Sequence, residues 1–330
     1  MSQVEHMAAF SNRARFEALG PDIRQQLKIR ILDALGCGVG ALQGEPIRMI
    51  RGYLNELGST GHCTLIGGGS TDIDRAALYN SALIRYLDFN DSYLAQGETC
   101  HPSDNLGAIL AAGEYIGATG RDLMTALAVA YQIQCRLCDV APVRARGFDH
   151  TVQGAYAVAA GISRILKLDR SQTANAIAIS GTAFIALRVT RTGNLSHWKG
   201  LAYPNLAACC TRASLLARHG ITGPLEVIEG EKGLMDAITG CFRVNWSEEG
   251  LAGVGRTTVK KYNAEIHSQT AIDAVLTLLR RYRFSRADIE RVEVETFDVA
   301  YNIIGGGGKV TRPTFPPKNR LITVFRTWSR

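Results

Sequence analysis

Residues 85–105, RYLDFNDSYLAQGETCHPSDN, set Asp88, Asp91, Ser92, His101 and Asp104 between two apolar stretches, AALYNSALI and LGAILAAGEYIGA. A link between two core helices needs only a turn, yet this one carries the groups of acid–base chemistry. Imidazole titrates near neutrality, so His101 is suited to proton transfer. Asp88 and Asp91 are close enough in sequence to orient or charge it. The run His101-Pro102-Ser103-Asp104-Asn105 reads as a helix start, with Pro in the first turn and capping side chains around it. Its N–H groups and the positive end of the helix dipole would favour a carboxylate ligand. The same residues also admit a plainer reading, as caps of surface helices.

Three further segments share this character. GFDHTVQGAY puts Asp149 and His150 just ahead of an Ala-rich helix. IALRVTRTGNLSHWKGLAYPNLAA carries Arg188, Arg191, His197 and Lys199, and VKKYNAEIHSQTAIDA carries Lys260, Lys261 and His267, each ahead of another helix. A single His or Lys in such a place is ordinarily solvated. Four polar segments, each leading into an apolar helix, could instead converge on one pocket for an anion.

The elements that must position these groups are mostly helical as far as residue 283. PDIRQQLKIRILDALGCGVGAL repeats apolar residues at Ile23, Leu27, Ile31 and Leu35. STDIDRAALYNSALIRYL opens with Thr71 and Asp74 in capping-box spacing. GRDLMTALAVAYQIQCRLC, GAYAVAAGISRILKL, DRSQTANAIAISGTA, NLAACCTRASLLARHG and HSQTAIDAVLTLLRRYRF continue the series, several apolar around most of the circumference and rich in small residues. Gly67-Gly68-Gly69 reads as a turn, since it lacks the Lys-Ser/Thr of a phosphate loop. After a capped turn at Ser285–Asp288 the period changes. Val292, Val294 and Thr296 alternate with charged residues, which predicts a half-exposed strand that would lack partners in the remaining sequence.

Composition bounds the function. With 46% hydrophobic and 20% charged residues over 330 positions, the chain is an ordinary globular sequence. No apolar run reaches the roughly 18 residues of a membrane span, and MSQVEHMAAF lacks the pattern of a signal peptide, so a cytoplasmic location and no membrane partner are expected. The net charge of +7 comes from scattered Lys and Arg without a basic-aromatic stripe, which argues against nucleic acid and suits a small polyanion. Cys135 and Cys138 form a C-x-x-C within helical periodicity with no second ligand pair, so they read as buried thiols, as do Cys209 and Cys210.

The segments LDFNDSY…HPSDNLGAILAAGEY, GFDHTVQGAY, HWKGLAYPNLAA and KKYNAEIHSQTAIDA together resemble the MmgE/PrpD family, from about residue 5 to Gly307. The family includes 2-methylcitrate dehydratase and cis-aconitate decarboxylase, and the Asp149-His150 pair and YNAEIHSQ lean toward the dehydratase branch. The resemblance implies a mainly α protein: a helical domain over 1–266, the beginning of a small α/β lid over 267–314, and a homodimer. It implies neither a metal nor an iron–sulfur cluster, and no other cofactor. Its motifs map onto Asp88, His101, His150, Lys199 and His267 as catalytic residues, with Ser92 toward the substrate; Arg188 and Lys261 are further candidates for binding the substrate's negative charge. The reaction implied is loss of water from a hydroxy tricarboxylate such as 2-methylcitrate or citrate, in propionate catabolism. Decarboxylation of cis-aconitate, epimerisation, or an inactive remnant are the alternatives.

The resemblance implies a longer, complete lid, whereas residues 315–330 read as an aberrant tail that truncates it. One permitted codon choice for Pro317–Arg330, read from the third base of the first codon, encodes Lys-Glu-Gln-Ala-Asp-His-Ser-Leu-Pro-Tyr-Leu-Val-Ala. That string resembles the family's lid motif. A frameshift between about Gly307 and Pro317 is therefore expected, and sequencing the coding DNA checks it. Codons that cannot be read this way would remove the idea.

Overall fold

The segment VQGAYAVAAGISRI is mostly apolar and small, and it forms the centre of the helical unit. In the computed structural model, which describes residues 1–289, 292–304 and 323–327, helix α7 (Thr151–Ile165) is buried along nearly its whole length. The helices before it are α1 (Gln3–Arg13), α2 (Pro21–Gly40), α3 (Glu45–Leu57), α4 (Ile73–Tyr86), α5 (Leu106–Tyr115) and α6 (Gly120–Val140). Those after it are α8 (Arg170–Ala183) and α9 (Trp198–Arg218). α7 packs against α6, α8 and α9, while α4 packs against α5 and α9. The chain divides into two units, Met1–Val259 and Lys260–Arg330.

Local signals set several helix starts. Thr119 and Asp122 form a reciprocal capping box on α6, and Asp169 and Gln172 form one on α8. The box expected from Thr71 and Asp74 does not form: Asp72 is the N-cap of α4, with no side-chain cap. Thr71 is held instead in an extended pair with Cys63, between strands β1 (Cys63–Thr64) and β2 (Ser70–Thr71). Gly67, Gly68 and Gly69 close that hairpin with φ of 93°, 114° and 83°, so the turn reading of the glycine run holds. α9 starts at Trp198, ahead of the expected position, and carries Pro204 inside it. Lys199 therefore lies on the first turn of α9 rather than in a loop before it.

A second hairpin, β3 (Tyr93–Ala95) with β4 (Glu98–Cys100), lies inside the polar stretch itself. Ala95 opposes Glu98 across a two-residue turn, in which Gly97 takes φ of 83°. A short 3₁₀ turn, Pro102–Asn105, then leads into α5. The segment following α9 is largely irregular and is tied back to α1. The Arg13 guanidinium donates to the carbonyls of Trp246, Ser247 and Glu249 at 2.6, 3.1 and 3.0 Å, and the Trp246 indole donates to Gln3 at 3.1 Å.

In the second unit α10 (Gln269–Tyr282) precedes β5 (Val292–Thr296), α11 (Asp298–Ile304) and β6 (Thr323–Thr327). Asp288 accepts from both the N–H and the hydroxyl of Ser285, as the capped turn predicted. The expectation that β5 would lack a partner is corrected: it pairs in parallel with β6, Val292 opposite Thr323 through Thr296 opposite Thr327. The glycine run at 305–308 and residues 315–322 and 328–330 of the tail lie outside the described residues. Among the described residues no helix is long and apolar enough to cross a membrane.

Small residues set the helix spacing. A Cβ on Gly107 of α5 would collide with the backbone of Asn80 and Ser81 on α4, whereas one on Gly52 of α3 would meet nothing within 4 Å. Gly107→Ala is expected to destabilise by about 1–3 kcal/mol through overpacking. Gly52→Ala should stabilise by roughly 0.5–1 kcal/mol through backbone entropy. Thermal unfolding checks both, and equal midpoints would refute the close approach of α4 and α5.

Candidate active site

Leu87 caps the end of α4, and Asp88 turns the chain away with φ of 50°, in the left-handed region that Gly usually occupies after a helix. Its carboxylate is held from beneath by Arg85 of the last helical turn, whose Nη1 donates to Asp88 Oδ1 at 2.7 Å and to Asn90 Oδ1 at 3.3 Å. Above, Lys199 Nζ lies 3.5 Å from Asp88 Oδ2. Asp88, Arg85 and Lys199 line a cavity of about 190 Å³, together with Tyr86, His197 and Leu201. Burial alone would lower the Arg85 pKa, but Asp88, Asp104 and Asp149 raise it, so the guanidinium stays charged.

Ser92 and His101 meet beside Asp91. His101 Nδ1 lies 2.8 Å from the Asp91 carbonyl oxygen and 3.2 Å from Ser92 Oγ. A carbonyl only accepts, so Nδ1 carries the hydrogen and Nε2 is the lone-pair nitrogen of the neutral ring. The Asp91 carboxylate has partners of its own. Its Oδ1 accepts from Ser103 N–H at 3.0 Å and its Oδ2 from Tyr131 at 2.8 Å, with Arg30 Nε at 3.8 Å. The N–H of Ser103, in the turn expected to attract a substrate carboxylate, is thus taken by the protein's own. Burial pushes the Asp91 carboxyl up, against the lowering effect of Ser103, Tyr131 and Arg30.

His150 lies next to His101, their rings edge to face with centroids 5.6 Å apart, and it stacks on Tyr203 at 5.5 Å. Its Nδ1 is 3.0 Å from Asp149 Oδ1 and its Nε2 is 3.6 Å from Asp104 Oδ2. Asp149 also pairs with Arg191 and has Arg188 Nη1 at 3.7 Å. Burial alone would raise the Asp149 carboxyl, but His150 and Arg191 hold it well below the usual range. Arg188 is thereby placed against an internal carboxylate, and burial and Arg144 both lower its pKa.

Lys261 and His267 lie in the second unit. Lys261 Nζ is 2.7 Å from Asp273 and is largely exposed. His267 is buried at its side chain, edge-on to Phe297 with centroids 5.2 Å apart, and Glu265 accepts from its backbone N–H at 2.6 Å. The first unit thus gathers Asp88 with Lys199, Ser92 with His101, and His101 with His150. Sequence reasoning left Arg85, Asn90 and Tyr203 without a role. Arg85 and Asn90 stood inside the polar stretch, where an arginine at the end of an apolar helix beside acids was the available signal. Cys100, Cys135 and Cys138 form a buried cluster beside Tyr93, as buried thiols on α6 predicted. Among the described residues no group of three or more His, Cys, Asp or Glu is arranged to hold a metal ion.

The two perturbed carboxyls give opposite pH dependences. The low Asp149 pKa contributes stability that is full above about pH 4 and falls as pH drops toward the folded-state value. The raised Asp91 pKa acts the other way, so stability falls as pH rises from about 4 through its folded-state value. In urea unfolding across pH, Asp149→Asn should flatten the acid-side loss, and Asp91→Asn should remove the decline above it. Wild-type slopes in both variants would contradict these assignments.

Residues 5–247 match the MmgE/PrpD N-terminal domain and residues 262–322 the MmgE/PrpD C-terminal domain, past the Gly307 at which the resemblance was expected to stop. The chain is 29% identical over 315 residues to 2-methylcitrate dehydratase of Escherichia coli (strain K12), covering 86% of this chain and 62% of that enzyme. To 2-methylcitrate dehydratase of Cupriavidus necator it is 30% identical over 302 residues, covering 86% and 62%. To alkylcitrate dehydratase phiI of a fungal species (strain ATCC 74256) it is 26% identical over 315 residues, covering 87% and 61%. The chain spans about 62% of the length of the first two relatives. Two domain matches in the family's order, covering most of the residues, make this chain a member of the MmgE/PrpD family.

Proposed function

We propose that the chain is a hydro-lyase that removes water from a hydroxy tricarboxylate of the 2-methylcitrate or citrate type. The observation that carries this reading is the bond from His101 Nδ1–H to the Asp91 carbonyl at 2.8 Å. It fixes the ring and leaves Nε2 as the basic nitrogen, as a base for a proton alpha to a carboxylate requires. Lys199 supplies positive charge for a substrate carboxylate and for the enolate that develops as the proton leaves. Asp88, between Arg85 and Lys199, holds that ammonium in place. His267 is proposed as a second acid–base group on the resemblance alone, with Lys261 and Arg188 as weaker anion-binding candidates. The names of the relatives support the substrate class.

The test is proton NMR of the purified chain with 2-methylcitrate, citrate and cis-aconitate, beside a version in the alternative reading frame after Gly307. A new vinylic signal from citrate, or collapse of the methyl doublet of 2-methylcitrate to an alkene-bound methyl singlet, is expected. His101→Gln should lower kcat by about 10²–10⁴-fold, the usual range for a positioned base. Lys199→Ala should act mainly on KM. Signals from cis-aconitate alone, with loss of carbon dioxide, would replace dehydration by decarboxylation, and silence from both versions would overturn the substrate class.

A further inference from the structure

Three buried polar atoms between α4, the 102–105 turn and the start of α7 have no hydrogen-bond partner among the described residues: Arg85 Nε, Asp104 Oδ2 and His150 Nε2. Their residues are 2%, 0% and 2% exposed. Asp104 Oδ2 is 3.6 Å from each of the other two, beyond hydrogen-bond reach. Other polar atoms of these side chains are committed. Arg85 Nη1 donates to Asp88 and Asn90, Asp104 Oδ1 accepts from Asn90 at 2.8 Å, and His150 Nδ1 faces Asp149 at 3.0 Å. A buried donor or acceptor left unsatisfied is costly, more so when the group is charged. A group that both donates and accepts relieves all three at once, and an internal water with three polar partners is the common solution.

We propose that Arg85 Nε, Asp104 Oδ2 and His150 Nε2 bind one internal water, and that Asp104 is a positioning residue that fixes the His150 ring through it. The guanidinium N–H donates to the water oxygen, the water donates to the carboxylate, and its remaining site meets His150 Nε2. Asp149 then holds one edge of the imidazole and the water holds the other. The ring is pinned against Tyr203 on its face and against His101 at its edge. Asp104 thereby acts on how the neighbouring His101 ring is packed. Asn90 supports the same arrangement, since its amide nitrogen donates to Ser103 and to Asp104 at 2.8 Å each. Any effect of this water on turnover rests on the dehydratase reading, but its presence and its hold on His150 do not.

Two measurements decide the matter without activity. A crystal structure of the unchanged chain should show one water within about 3.2 Å of all three atoms. A direct Asp104–His150 contact in its place, or no density there, overturns the proposal. Nitrogen-15 NMR of the histidine rings should show the His150 Nε2 resonance moving in Asp104→Asn while Nδ1, held by Asp149, stays in place. An unmoved Nε2 in a folded variant overturns the positioning role. Should Asp104→Asn fail to fold, Arg85→Lys takes its place in the same experiment, since it keeps the charge and withdraws the Nε donor. If the chain dehydrates a tricarboxylate, Asp104→Asn should lower kcat by about 10-fold or more with KM within about two-fold, as expected for loss of positioning rather than of binding. An unchanged kcat would confine the water to a structural role and overturn the catalytic half of the proposal. A chain without turnover would fail the reading under Proposed function and leave the crystallographic and NMR outcomes standing.

Discussion

Arg85 lies at the end of a core helix with its guanidinium buried and its charge answered by Asp88 and Asp104, with Asn90 between them. A charge taken out of water is tolerable only when paired and hydrogen-bonded, and removing one partner of a buried pair typically costs about 3–5 kcal/mol. Once Arg85 is inside, the acids of the polar stretch must follow it. That is why residues 88–104 fold back over the end of α4, and why the helix that follows starts beneath them. Asp104, so placed, comes to face His150, and Asp149 on the ring's far side is matched by Arg191. Lys199, Asp88, Arg85 and Asp104 alternate in sign along this row, and the His150 imidazole links them to Asp149 and Arg191.

Asp91 serves the neighbouring histidine in a different way. Its main-chain carbonyl orients His101, while its carboxylate ties together Ser103, Tyr131 and Arg30. Arg30 reaches on to Thr257, through both its hydroxyl and its carbonyl, at 2.9 and 2.6 Å. A pair of backbone bonds between Ser92 and Thr258, at 2.9 and 2.8 Å, runs alongside. The placement of the imidazole is therefore a property of the backbone, and the backbone is placed by α2, α6 and the end of the first unit. Substituting the side chain at 91 alters the support and spares the direct contact.

The helices were legible because apolar periodicity over a dozen or more residues outweighs local detail: α2, α6, α7 and α10 lie where Ile23, Leu27, the LAVAY run, the Ala-rich run and the AIDAVL run place them. Short elements were not. The β3–β4 hairpin rests on a Gln-Gly turn inside a stretch that reads as a loop, and the start of α9 was hidden by Pro204, which ordinarily marks a boundary. Thr71 had the spacing of a cap but was taken by a strand pair, a tertiary claim that no local pattern reveals. The site was legible in its residue types and not in its pairings. His101, His150, Asp88 and Lys199 stand out as chemistry in polar segments. That Arg85 and Asp104 connect two of those segments depends on how α4 meets the turn before α5, and spacing along the chain does not encode that.

The left-handed turn at Asp88 sets two selection pressures against each other. A side chain in that conformation costs on the order of 1 kcal/mol that glycine would not incur, and glycine would also remove the carboxylate shared by Arg85 and Lys199. Backbone preference and electrostatics thus point in opposite directions at a single codon. Because Arg85 is buried, losing its partner at 88 costs more than the backbone strain that glycine would relieve. A variant library sorted for thermal tolerance would therefore keep a carboxylate there against the preference of the backbone.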